Sequence, residues 1–199
     1  VWSDIACPWC WVGKRHLEQA IEQLTIEGGS ERAVEVNVTW RAFELDPDAG
    51  DAPPRIDRGV HERDRAIEDV VWERLDHQAH GLAHREGREI ALVGFELRPD
   101  SGEVGDTIEN GARLKERLFR AYMTEGRSVA DHDVLAECAQ DVDLDPDRAR
   151  SVVASDAHAS DVRDHERRAC KLGVRGVPFF VVDNKYALSG AQPAQLICG

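Results

Sequence analysis

Apolar positions fall into several distinct rhythms along the chain. From Trp11 to Ile26 they recur at Val12, Leu17, Ile21 and Leu24, close to the spacing of one helix face, and Gly28-Gly29 marks the end. The stretch Val34-Glu35-Val36-Asn37-Val38-Thr39-Trp40 then alternates strictly, which predicts a strand with Val34, Val36, Val38 and Trp40 on one face. Together with the extended run Val1-Trp2-Ser3-Asp4-Ile5, the chain opens strand, helix, strand, a unit that gives a parallel pair with a crossover. Between Leu45 and Arg58, Pro47, Gly50, Pro53 and Pro54 among acidic residues predict a loop leaving the sheet.

Helical spacing dominates the middle of the chain. Ile67, Val70, Val71 and Leu75 make one stripe, Leu114, Leu118, Phe119 and Tyr122 a second, and Val134, Leu135, Cys138 and Val142 a third. Asp145-Pro146 reads as an N-cap with proline at the first helical position, and a further helix from about Ala159 to Leu172 stops at Gly173. Gly81 to Ile108 reads equally as a loop, a short strand around Ile90-Ala91-Leu92-Val93, or a place where intervening residues are absent. Sheet character returns at Val177–Val182; Asp183-Asn184-Lys185 supplies a turn, Tyr186–Gly190 an antiparallel return, and Ala191-Gln192-Pro193 the opening of a last helix. No internal repeat is present.

The sharpest chemistry sits in Cys7-Pro8-Trp9-Cys10, where a strand feeds two thiols at a helix start. Unpaired N–H groups and a positive partial charge at a helix N-terminus favour a thiolate, so Cys7 is expected to be acidic and to attack. Cys10, one turn further in, is expected to resolve the mixed disulfide. Pro8 suits a first helical turn, which does not use its missing donor. Two other readings of the pair stay open: a zinc site, though no second CxxC accompanies it, and a structural disulfide, which across two residues constrains the unfolded chain little. Far along the chain, Gly176-Val177-Pro178 reads either as a cis-proline loop facing the dithiol, with the Val177 backbone placed to pair with an extended substrate, or as a plain edge proline at a strand start.

Other polar residues carry competing readings. Asp4 is placed either to tune thiol ionisation or move a proton, or merely to end a strand; His16 reads as a solvated surface histidine. Cys138 and Cys170 are expected to pack as small hydrophobes, Cys198 to be an incidental thiol or to pair with one of them, and of Trp9 and Trp11 one is expected to face the substrate and one the core.

Composition narrows the classes. With 199 residues, 42% hydrophobic and 32% charged, the chain is long enough for one domain with a sizeable core, or for a domain carrying a large insertion. A net charge of −13, with few lysines (Lys14, Lys115, Lys171, Lys185), argues against nucleic acid or an anionic membrane as partner. Five cysteines do not make a disulfide framework and suit a reducing compartment; with no membrane-length apolar run and no basic-then-apolar leader, the cytoplasm is the expectation.

Four stretches together, Ser3-Asp4 with Cys7–Lys14, Leu114–Tyr122, Gly173–Val181 and Ser189–Pro193, resemble the FrnE-like branch of the DsbA family. The resemblance implies an α/β, thioredoxin-like fold interrupted by a helical insertion domain, with residues 1–45 and 160–199 forming the split thioredoxin-like domain and 46–159 the insertion. It implies a thiol–disulfide oxidoreductase in which Cys7 is the nucleophile, Cys10 the resolving thiol and Pro178 the cis-proline, with Pro8, Trp9 and Val177 in support. Neither a metal nor an organic cofactor is implied. Partners would be protein or small-molecule thiols and disulfides, glutathione among them, and a homodimer is left open. Residues 81–108 depart from the family's usual segment, and Pro8-Trp9 differs from the Pro-His of strongly oxidising relatives. The couple is therefore not placed on the scale that runs from about −270 mV to about −120 mV. A glutathione-dependent isomerase of the 2-hydroxychromene-2-carboxylate type shares the fold, but typically has serine where Cys7 stands; a binding module with a remnant site is the non-enzymatic alternative.

Overall fold

The computed structural model describes residues 1–28, 36–45 and 104–198. Within them the chain order is β1 (Trp2–Ser3), α1 (Pro8–Gly28), β2 (Arg41–Ala42), α2 (Val104–Met123), α3 (His132–Gln140), α4 (Pro146–Val153), α5 (Ala159–Lys171), β3 (Phe179–Val182), β4 (Tyr186–Ser189) and α6 (Ala194–Cys198). Two compact units form, one from Val1–Leu45 with Asp161–Gly199 and the other from Asp46–Ser160. The predicted 67–75 stripe and the 90–93 patch lie outside the described residues.

The first unit is built on a four-stranded sheet of order β2-β1-β3-β4. Strands β1 and β2 run parallel, with Trp2 opposite Arg41 and Ser3 opposite Ala42, whereas β3 is antiparallel to both β1 and β4. One face of the sheet is covered by α5, where Trp2, Ala169 and Val174 are buried with Phe43, Val177, Phe179 and Val181 around them. The indole N–H of Trp2 donates to the His165 carbonyl at 3.0 Å, which anchors β1 to α5. On the other face, Pro178 and Phe180 meet α1 at Gly13, and α1 packs along α6.

Local sequence accounts for most of these boundaries. Asp183 and Asn184 take φ of 53° and 55°, and the Lys185 N–H reaches the Val182 carbonyl at 2.9 Å; two successive left-handed residues of this kind make the tight turn that matches strand twist. Helix α5 ends where Gly173 adopts φ 74° and the Val174 N–H closes onto the Ala169 carbonyl at 3.0 Å. The strand expected over 34–40 is displaced. Pairing falls on Arg41–Ala42 because β1 offers only Trp2 and Ser3 as partners; upstream, the Val1 amino group reaches the Thr39 carbonyl at 2.7 Å, Val36 is exposed and Trp40 is buried.

In the second unit α2 packs on α3 and α3 on α4. Leu114, Leu118, Phe119 and Tyr122 are all buried on α2, as the stripe predicts, and Leu135, Cys138 and Val142 are buried in and after α3. The Asp145 carboxylate caps α4 by accepting from the Asp147 and Arg148 N–H groups, and Asp131 caps α3 in the same way at Asp133. Residues 104–108 belong to helix α2, which settles that end of the otherwise unreadable 81–108 segment. Arg117 ties α2 to its own exit, bonding Glu125 through both terminal nitrogens and Asp141 through Nε.

Candidate active site

Strand β1 delivers the chain to the start of α1 through Asp4 and Ile5, both buried, and the half-buried Ala6. The Asp4 carboxylate, 1% exposed, shapes this corner. Its Oδ1 accepts from the Ala6 N–H at 2.9 Å and its Oδ2 from the Leu45 N–H at 3.0 Å, so it joins the corner to the segment leaving β2. The Asp4 N–H in turn points at the Cys10 sulfur, 3.4 Å away. The Cys7 N–H reaches the Asp4 carbonyl at 3.3 Å, and the Cys7 carbonyl accepts from the Cys10 and Trp11 N–H groups, opening the helix. Asp4 is therefore neither an idle strand end nor a solvent-facing acid. It is a buried bracket under the two thiols.

Both thiols are free, with Cys7 3% and Cys10 1% exposed. The Cys7 sulfur lies 3.5 Å from the Val177 carbonyl. The Val177–Pro178 peptide is cis, Pro178 is buried, and its carbonyl accepts from the Gly190 N–H at 2.9 Å. Residues 170 positions apart are thus brought against each other. Among the described residues no group of three or more metal-binding side chains comes together.

One electrostatic expectation fails. The Cys7 thiol is held well above its ordinary range by the hydrogen bond to Cys10, by burial, by the charge that Cys10 would carry and by Asp4. The helix start favours a thiolate, while burial and the neighbouring Cys10 and Asp4 oppose it.

Pro8 and Trp9 are both half-buried at the first turn of α1. Trp11 is half-buried as well, with the Arg15 guanidinium stacked 4.0 Å above its ring, so neither tryptophan is fully buried in the core. His16 is not a solvated histidine: its Nδ1 lies 3.0 Å from the Gln192 carbonyl and links α1 to the approach of α6. Cys138 is fully buried as expected. Cys170 is exposed, because the inward residue of α5 is Ala169 and the next position turns about 100° away. Cys198 is half-buried, its sulfur 3.4 Å from the Ala20 carbonyl.

Three residues escaped the sequence reading. Lys14 is 6% exposed and carries its ammonium group to Glu18. Ser3, 2% exposed, has no hydrogen-bond partner for its hydroxyl among the described residues. Gly13 lies under Pro178, and a glycine inside a helical pattern was the one available signal for it.

Residues 1–91 and 104–197 match the DSBA-like thioredoxin domain. The chain belongs to that family. Among solved structures it is similar to a probable DsbA oxidoreductase, SCO1869 of Streptomyces coelicolor, at 31% identity and a TM-score of 0.72 over 99% of this chain and 85% of that one. The cytosolic disulfide reductase DsbM of Pseudomonas aeruginosa, solved with GSH, has the same fold at 18% identity and a TM-score of 0.60, covering 94% of this chain and 87% of that one. The uncharacterized protein YwbO of Bacillus subtilis is 25% identical over 193 residues, 92% of this chain and 84% of the Bacillus protein. No described helix is long and apolar enough to cross a membrane.

Proposed function

We propose that this DSBA-like protein is a thiol–disulfide oxidoreductase of the FrnE-like branch that works through the Cys7/Cys10 pair. The observation that carries the reading is the convergence of two free, adjacent thiols with the Val177 carbonyl beside Pro178, 3.5 Å from the Cys7 sulfur. In the reductive direction the Cys7 thiolate attacks one sulfur of the substrate disulfide, forming a mixed disulfide and releasing the other sulfur as a thiolate. The Cys10 thiolate then attacks the Cys7 sulfur, forms the Cys7–Cys10 disulfide and releases the second substrate thiolate. The substrate gains two electrons and the protein loses two. A thiol partner returns them, and oxidation of substrate is the same sequence reversed.

Pro8 and Trp9 form the rim that a substrate meets, and Val177 and Pro178 the surface on which an extended segment lies. The chemistry requires no metal or organic cofactor. Glutathione, present in one of the P. aeruginosa structures of this fold, is the candidate thiol partner, with protein disulfides the alternative. The odd, scattered cysteines support a cytoplasmic setting. Under the isomerase alternative, Cys10 would have no part to play; here it is buried against Cys7.

Insulin reduction with glutathione or dithiothreitol as donor tests the reading. Cys7→Ser is expected to abolish turnover, and Cys10→Ser to accumulate a mixed disulfide on Cys7 that mass spectrometry detects. Undiminished turnover in Cys7→Ser would overturn the assignment.

A further inference from the structure

Helix α1 carries a glycine one turn beyond Cys10. A Cβ placed on Gly13 would lie 2.7 Å from Cγ and 3.3 Å from Cβ of Pro178, and 3.4 Å from Cζ of Phe180. Carbon atoms do not approach to 2.7 Å, and the atom they would meet belongs to a small closed ring whose pucker gives it only limited play, with Cβ and Phe180 crowded beside it. Pro178 is also held from behind, since its carbonyl accepts the Gly190 N–H at 2.9 Å. Any side chain at position 13 therefore separates α1 from the Val177–Pro178 segment. Because α1 begins with the dithiol, that separation also moves the Val177 carbonyl relative to the Cys7 sulfur, now 3.5 Å apart.

We infer that Gly13 is a positioning residue for the dithiol: its missing side chain lets Pro178 seat on α1 and so sets how closely the Val177 backbone covers Cys7. The inference takes its functional meaning from the oxidoreductase reading, but the contact itself is independent of turnover. Gly13 is not in the left-handed region where only glycine is at ease, so backbone freedom does not explain it. Gly176 provides a contrast, since a Cβ there would meet nothing within 4 Å.

The test uses the full-length reduced protein and follows carbamidomethylation of Cys7 by mass spectrometry, together with kcat and KM for a disulfide peptide. Gly13→Ala is expected to speed Cys7 modification by about tenfold, the size that coupling between touching residues commonly reaches, and to raise KM more than it lowers kcat. In a Pro178→Ala background, Gly13→Ala is expected to add far less, because the Cγ it would strike at 2.7 Å is gone and only the 3.3 Å contact with Cβ and the 3.4 Å contact with Phe180 remain. Wild-type modification rate and KM in Gly13→Ala, or an undiminished further effect in the Pro178→Ala background, overturns the inference. If Gly13→Ala alone does not fold, the comparison of Gly13→Ala/Pro178→Ala with Pro178→Ala decides by the same criterion. Undiminished turnover in Cys7→Ser would sink the oxidoreductase reading and leave these modification rates untouched, so the two failures are distinguishable.

Discussion

Asp4 and Ser3 are neighbours on one strand end, yet they meet burial in opposite ways. Asp4 accepts two backbone N–H groups; the Ser3 hydroxyl is buried with no partner among the described residues. Removing a buried hydroxyl that lacks a partner relieves a desolvation cost of about 1–3 kcal/mol, so Ser3→Ala is expected to raise the urea midpoint. A lowered midpoint would show the hydroxyl to be bonded. Asp4→Asn acts differently, because it keeps the shape but removes a negative charge that opposes the Cys7 thiolate. Its expected effect is to lower the Cys7 pKa, so that the pH profile of Cys7 alkylation moves toward acid, with stability lost where the amide presents a donor to the Ala6 or Leu45 N–H. A profile unmoved or shifted toward alkali would contradict the placement of that charge.

The elements legible in the sequence were those fixed by short-range chemistry. Asp145-Pro146 supplies both a cap and a preset first turn, and the helix begins there; Asp145→Ala is expected to cost about 1 kcal/mol in equilibrium unfolding. Asp183-Asn184 tolerates the left-handed conformation, and the hairpin turns there. The misreadings all concern what lies opposite. Alternation in Val34–Trp40 is real, but pairing depends on how much of β1 stands beside it, and only Trp2 and Ser3 do. Helix α5 was bounded well, whereas Cys170 was assigned to its inward side, which Ala169 occupies. At the site, CxxC and Val177-Pro178 were visible as local patterns; Gly13 was not, because only the far-off Pro178 ring gives its missing side chain a meaning.

At the scale of the molecule, the raised Cys7 thiol makes stability depend on pH and on redox state. Below the ordinary thiol range of about 8.5, folded and unfolded chains both keep the Cys7 proton and this group contributes no slope. Above it the unfolded chain releases the proton while folded Cys7 retains it, so the unfolded state binds fewer protons and stability falls as pH rises. Oxidation to the Cys7–Cys10 disulfide removes the Cys7 thiol from this balance. The reduced protein is therefore expected to lose melting temperature between pH 8 and pH 10 more steeply than the oxidised protein, and parallel slopes would refute the assignment of that loss to Cys7. The net charge of −13 adds a repulsion common to both redox forms, which cancels in the comparison.

The exposure of Cys170 on α5 has a practical consequence for anyone counting sulfhydryls. Of the five thiols, Cys170 is the exposed one, Cys198 is half covered, and Cys7, Cys10 and Cys138 are buried. A maleimide dye added to the native reduced protein will mark Cys170 first, at a position unconnected with electron exchange. Colorimetric titration of fast-reacting groups will thus read one equivalent from the helix surface before it senses the redox pair, and replacing Cys170 with serine clears that background.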